Sequence, residues 1–561
     1  MNLSLEPILR AIFSKLVILF TVLNIFSSLL RAEEFSLHKG IGLISADSLK
    51  KHVEFLGHDS LQGRGTGTRG EKVAAQYIAN YLKMLQLKPL GDDGTYLQAI
   101  PMHGSFPLPE SELTFFSGNE EHKFELGKDY LLYKSGAQTF IPQPVPLVFV
   151  GYGIIAPEFD YNDYQAMDVE GKVVVYLSGE PPSNDSCYFN GTDPTIYSYP
   201  ESKQRIAISR GALGSILIPS IKQQDFDWQR TKREFAFEDI TLAYSVTGNL
   251  SVLMNPNAAT KLFDGVPFNL YQIFEMDRTH TIRSFPLNNR ISFKGAFLER
   301  DFFASNVIGM YAGLKRKPND SYIIVSSHFD HLGIGSPVDG DSIYNGVVDN
   351  AVGVAAVLEI ARVFSTSPKK PFHSILFLFV TGEEKGLLGS TYYLDHPIVP
   401  LYKTIANVNV DGLAVFDLFN DVVGIGAELS TLGEHLKIIV NELGINLSPI
   451  PPQFLGKESF ARSDQIAFAK AGIPSILISE GLNYKNMSKE KALRKITNWY
   501  EQIYHSPFDD LNQPMNFQAA HQHCQILFAF CYSLANSTSL PQWSPGTPYI
   551  NERLRTIAER R

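Results

Sequence analysis

Three apolar runs in the second half of the chain constrain its fold more than any other feature. Tyr322–Ser327 leads into His328, Ser374–Thr381 leads into Gly382 and Glu383, and Ala406–Val410 leads into Asp411. Runs this rich in Ile, Val, Leu and Phe suit strands of a parallel sheet covered on both faces. In open α/β sheets, ligands bind beyond the carboxyl ends of such strands. A histidine and several carboxylates are therefore expected on one rim. The fold class that follows is α/β, a three-layer sandwich with a mostly parallel central sheet.

At 561 residues the chain exceeds one ordinary core, so two or three folded units are expected. Ala46–Leu56 and Gly70–Leu85 carry apolar residues at helical spacing (Ala74, Ile78 and Leu82 in the second), joined by the Gly-rich stretch Leu61–Thr68. That stretch lacks phosphate-loop spacing and follows no strand, so it reads as a plain connection. Between about Phe140 and Phe293 the texture changes. Short β-like runs, Leu147–Ile154, Lys172–Leu177 and Gly214–Pro219, are separated by Pro, Gly, Asn and Asp. The expected division is a targeting segment at 1–32, a first part of the α/β domain at 41–139, a small β-rich insert at 140–295, the main α/β part at 300–538, and a loosely packed polar tail at 539–561.

The net charge of −9 involves no long acidic tract, and no Lys/Arg cluster of the kind nucleic acid requires is present. Nucleic acid is therefore not an expected partner. Arg10 and Lys15 precede the uncharged apolar stretch Leu16–Leu30, with Arg31-Ala32 and acidic Glu33-Glu34 behind it. This order is that of an export signal cleaved after Ala32. Fifteen residues are short for a span, which takes about 20. The expected location is periplasmic or extracellular, or membrane-anchored if the signal stays attached. Cys187, Cys524 and Cys531 are an odd count without a C-x-x-C pair. Cys524 and Cys531 stand two turns apart on an expected helix, Phe517–Leu534, roughly 10.5 Å and beyond disulfide reach.

Each candidate ligand has an ordinary alternative. His328 after a strand could be a surface residue, but Asp330 two residues on could accept its second ring N–H. His331 has no such pairing and reads as a capping or loop-lining residue. Asp349, at the head of an apolar segment, suits a helix N-cap, yet the preceding Asn345-Gly346 turn returns it to the same rim. Adjacent Glu383 and Glu384 repel each other at a buried strand end unless a cation divides their roles. Asp411 precedes Gly412, and His505 precedes Ser506-Pro507, with Asp509 placed to orient its ring. Two histidines and three carboxylates without thiolate provide donors for two divalent ions sharing one bridge, and suit zinc.

The motifs His328-Phe329-Asp330-His331-Leu332-Gly333, Asp349-Asn350-Ala351-Val352-Gly353, Gly382 to Ser390 and Asn409-Val410-Asp411-Gly412 together resemble the M28 family of zinc metallopeptidases. Ser463-Asp464-Gln465, Gly472-Ile473-Pro474 and His505-Ser506-Pro507 continue the resemblance, and Gly63 to Gly67 is similar to the family's opening segment. The insert, through Gly151 to Pro157 and Val169 to Val175, resembles a protease-associated domain. The resemblance covers about 41 to 535. It implies two zinc ions per chain: His328 and Asp411 on one, Glu384 and His505 on the other, Asp349 bridging, Glu383 as general base and Asp330 orienting His328. Val352 departs from the family pattern at a packing position. The implied activity is hydrolysis of peptide bonds, foremost as an aminopeptidase acting on peptides or protein N-termini. Carboxypeptidase, dipeptidase, glutaminyl-cyclase-like and non-catalytic binding roles are the alternatives, and oligomeric state is not legible.

Overall fold

The computed structural model describes residues 36–133, 139–185, 187–189, 191, 195–220, 226–314, 320–454 and 460–559. The targeting segment expected at 1–32 lies outside them. A ten-stranded sheet forms the centre of the α/β part. Its strands are β1 (Lys88–Pro89), β2 (Leu97–Pro107), β3 (Asp239–Leu242), β4 (Phe297–Tyr311), β5 (Tyr322–His328), β6 (Ser374–Val380), β7 (Thr404–Asn409), β8 (Asp421–Ile425), β9 (Asn446–Ser448) and β10 (Ser475–Glu480). They lie in the order β3-β2-β4-β6-β5-β7-β10-β8-β9, with β1 paired to β4. The helices that matter below are α1 (Ala46–Leu56), α2 (Arg69–Met84), α3 (Pro200–Ser209), α4 (Val352–Ser365), α5 (Leu388–Asp395), α6 (Gln465–Lys470), α7 (Phe517–Asn536) and α8 (Ile550–Ala558).

The three apolar runs are β5, β6 and β7, and with β10 they make the parallel centre β6-β5-β7-β10. The flanks run the other way: β4 is antiparallel to β6 and to β2, and β8 is antiparallel to β10. The sheet is therefore mixed, parallel only where helical crossovers cover it. Alternation within the central strands shows that both faces are buried. Ile323, Val325, Ile375, Phe377 and Phe379 pack in one core with side chains of α1, α2, α4 and α7. Ile324, Leu376, Leu378 and Val380 join Tyr393 of α5 and Phe468 of α6 in another. These are the three expected layers. Helix α4, apolar on nearly every side, lies buried against the sheet.

A second sheet of eight strands runs Glu120–Phe124, Glu112–Ser117, Phe285–Lys294, Phe140–Phe149, Val173–Leu177, Gly214–Ile218, Leu250–Met254, Tyr130–Leu132. It has its own apolar core. Its strands start at Glu112, and β3, from within the same stretch of chain, leaves to pair with β2 on the edge of the first sheet. Lys203 of α3 is buried among this unit's strands and donates to the carbonyls of Tyr152 at 2.8 Å and Leu177 at 3.1 Å. Those bonds hold α3 against the second sheet.

The chain's end departs from the loosely packed tail expected of its polar sequence. Trp543 is 8% exposed and its indole N–H donates to Gly472 O at 2.9 Å. Arg553 of α8 donates to Thr404 O at 3.0 Å, and Gly472 makes room for the backbone at Arg553. Two well-placed side chains in a polar stretch suffice to dock it. All three cysteines are free, Cys524 and Cys531 buried on α7. Among the described residues, no helix is long and apolar enough to cross a membrane.

Candidate metal centre

Strand geometry brings the five expected ligands together. His328 closes β5 and is 1% exposed; its Nε2 stands 3.2 Å from Asp411 Oδ1 and 3.3 Å from Asp349 Oδ1. The other Asp349 oxygen is 3.3 Å from His505 Nε2, which is 3.2 Å from Glu384 Oε2. Asp349 thus stands between two imidazole–carboxylate pairs. Ligand atoms of His328, Asp349 and Asp411 lie within 4.8 Å of one another, as do those of His328, Glu383 and Glu384. His505 Nε2 is buried yet aligned as a hydrogen-bond donor to neither carboxylate. An imidazole nitrogen facing two carboxylates across 3.2–3.3 Å is a donor set that a divalent cation would satisfy in place of a proton. By donor chemistry and by this unpaired atom, the residues fit zinc.

The second expectation about each supporting acid changes. Asp330 offers His328 Nδ1 its main-chain carbonyl at 3.2 Å, while its carboxylate is 3.8 Å away. That carboxylate instead accepts from Thr66 Oγ1 at 3.0 Å and from Glu383 N at 3.2 Å. It ties the Gly-rich N-terminal connection to the loop carrying both glutamates. Asp509 was expected on the ring of His505. Its described hydrogen bonds run elsewhere: its carboxylate accepts the N–H groups of Val348 at 2.9 Å and Asp349 at 3.0 Å. Successive N–H groups at the irregular turn before α4 need acceptors, so the acid orients the backbone of Asp349. Asp349 is not an N-cap; that place is held by Ala351.

Sequence reading missed four residues that shape the centre. His331 is fully buried with Nδ1 2.7 Å from Glu384 Oε1. Its only sequence signal is its place in the same short motif as His328. Asn350, fully buried, donates to Ser327 Oγ at 3.0 Å and Val410 O at 3.1 Å, and accepts from Gly353 N and Gly412 N. It pins the ends of β5 and β7 to the start of α4; a Cβ on Gly353 would meet its Oδ1 at 2.0 Å. Arg64, 1% exposed, donates to the carbonyls of Phe329, Leu56, Asn345 and Gly346 at 2.6–2.8 Å. Tyr504 stacks on His505, ring centroids 3.8 Å apart, and fixes that ring. None of these is distinguishable by type from ordinary core or loop residues.

Charge is unevenly shared. Burial opposes ionisation of Glu384, but the His505 and His331 imidazoles hold its carboxyl well below the usual range. Glu383 is pushed well above that range by burial, with Glu384 and Asp411 adding to the effect. The two neighbours are thus pushed in opposite directions, the pattern of paired carboxylates with different tasks. Burial likewise opposes charge on His505, yet Glu384 and Asp349 raise it to about 10. Asp464, buried behind the cluster, is pushed up to about 7 by burial, Asp411 and Asp330 contributing.

The profile of peptidase family M28 matches residues 306–531, which carry every one of these acidic and imidazole ligands. Residues 306–531 form a domain of peptidase family M28. Over 239 residues the chain is 26% identical to leupeptin-inactivating enzyme 1 of Streptomyces exfoliatus, covering 42% of this chain and 49% of that protein. Over 118 residues it is 36% identical to aminopeptidase NAALADL1 of Mus musculus, 20% of this chain and 14% of that protein. The chain thus spans half or less of these relatives. An aminopeptidase from Aneurinibacillus sp. strain AM-1 shares the fold with a TM-score of 0.54 at 18% identity, over 91% of this chain and 99% of that one. The M28 domain supplies the parallel strands β5, β6 and β7 and the ligands at their ends. A cavity of about 1100 Å3 opens onto it, lined by Asp349, Glu383, Glu384, Asp411 and His505.

Proposed function

We propose that the protein is an exported di-zinc aminopeptidase that removes N-terminal residues from peptides. The observation that carries this reading is Asp349 lying between His328–Asp411 and Glu384–His505 at the floor of one cavity. His328 and Asp411 would hold one zinc, Glu384 and His505 the other, and Asp349 would serve both. Bound zinc lowers the pKa of water from about 15.7 toward about 7 and polarises a carbonyl. Glu383, lining the cavity beside these residues, takes the proton of the attacking water and delivers it to the leaving amine. Asp330 keeps Glu383 in place through its main-chain N–H. Asn350 and Asp509 hold the turn that presents Asp349.

The similarity to an aminopeptidase of Mus musculus supports release from the amino end. Residues 1–32 read as the export signal, and the second sheet with its helix α3 as a protease-associated-like insert. One peptide in three forms, free, N-acetylated and C-terminally amidated, tests the reading with the zinc-loaded protein beside a chelated control. Chelator-sensitive release of single residues from the free and amidated forms, and none from the acetylated form, is expected. Cleavage of the acetylated but not the amidated form would replace it with a carboxypeptidase.

A further inference from the structure

The cavity over the metal centre is not built by the M28 domain alone. Ile196 and Tyr199, at the head of α3, line it from the insert, and Pro548 and Tyr549 line it from the docked C-terminal segment. These two stretches lie about 350 residues apart in sequence, and neither carries a ligand of the centre. Both are firmly anchored. Tyr199 is one turn ahead of Lys203, whose buried ammonium is tied to the carbonyls of Tyr152 and Leu177. Tyr549 packs on Trp543, ring centroids 4.8 Å apart, and on Phe460 at 6.0 Å. Trp543 is itself bonded to Gly472 of the M28 domain. Tyr199 is near enough to add to the rise that burial gives the Tyr549 phenol.

We propose that Tyr199 and Tyr549 form a length filter that confines the enzyme to short oligopeptides. This rests on the peptidase reading above and narrows its substrate class. Two anchored aromatic residues bound a chamber of about 1100 Å3 that also contains the candidate ligands. Pockets of about 300–1,000 Å3 hold ligands of drug size, the size of a few amino-acid residues. A peptide whose amino end reaches the centre has its following residues in the same chamber. A long or folded substrate meets walls supplied by the insert and the tail as well as by the M28 domain. Positioning of the reacting bond within fractions of an ångström depends on that fit.

The test is a series of peptides sharing one N-terminal dipeptide and extended from two to ten residues, with kcat/KM measured for each on the zinc-loaded full chain. The wild type is expected to lose at least tenfold between the shortest extensions and the decapeptide. Tyr199→Ala is expected to flatten that fall by raising the values for the longest peptides, and Tyr549→Ala to do the same. Tyr549→Phe keeps the ring and is expected to keep the fall, which a hydrogen-bonding role for the phenol would not. Tyr199→Ala leaves the Trp543–Tyr549 stack untouched, so a misfolded Tyr549→Ala protein does not remove the test. A flat wild-type profile, or a Tyr199→Ala profile as steep as the wild type, overturns the filter. Absence of turnover on every length overturns the peptidase reading beneath it, a different and distinguishable result.

Discussion

Arg64 shows how much of the centre depends on one side chain that never reaches the cavity. Its guanidinium satisfies four main-chain carbonyls on three segments, two of them in the loop ahead of Asp349 and one next to Asp330. Burial lowers its pKa to about 10, and the nearby acids Asp330, Asp509, Asp349 and Glu384 oppose that fall. It is a fixed positive charge behind a cluster of carboxylates. Arg64→Met, which keeps volume and removes every donor, is expected to destabilise the protein by about 3–5 kcal/mol in urea unfolding. On the proposed di-zinc reading, Glu383→Gln is expected to bind as much metal as the wild type while lowering kcat by about 10²–10⁴. Near-normal turnover in that variant would remove Glu383 from the proton-transfer role.

Among the elements, helix α7 links stability to pH. His523 is buried on it, accepting from Ala414 N at 3.0 Å and facing Ile478 O at 3.0 Å. Accepting the Ala414 N–H needs an unprotonated Nδ1, while Nε2–H donates to Ile478 O, and burial pushes the pKa down to about 4. His52 on α1 is also pushed down to about 4 by burial. A depressed folded pKa means the unfolded chain takes up the proton first. The contribution of each ring is complete above about pH 6.5 and is lost as pH falls toward 4. Each is expected to cost on the order of 2 kcal/mol at pH 5 relative to pH 7. Urea midpoints at the two pH values measure the sum, and His523→Gln should shrink the difference while lowering stability at both. An unchanged slope in that variant would place the acid sensitivity elsewhere.

At the scale of the whole molecule, the centre joins segments distant in sequence. The ligands come from the ends of β5 and β7, the loop after β6, the turn before α4 and the loop before α7. A cation bound there favours the folded state by mass action, about 2.7 kcal/mol at one hundred times the dissociation constant. Chelation is expected to lower Tm by several degrees and added zinc to restore it. A Tm indifferent to both would mean that the carboxylate cluster is stable without metal.

The residues that the fold brings together at this centre were legible because they fall in motifs of a few residues at strand ends, where apolar runs mark the strands and polar residues interrupt them. His328, Asp349, Glu383, Glu384, Asp411 and His505 could each be named from such local context, as could the three layers from strand and helix periodicity. What holds those ligands was not legible. Arg64 and Asn350 act by hydrogen bonds to main-chain groups far away in sequence, and Asp509, expected on the ring of His505, serves the Asp349 turn instead. The antiparallel flanks of the sheet, the exit of β3 from the insert and the docking of Trp543 depend on which edges and cavities the folded chain leaves open. Local sequence determined the strands, the helices and the chemistry at their ends. Tertiary structure alone decided how the paired glutamates differ, because burial and neighbouring imidazoles act on them in opposite directions, and both exist only once distant segments have packed together.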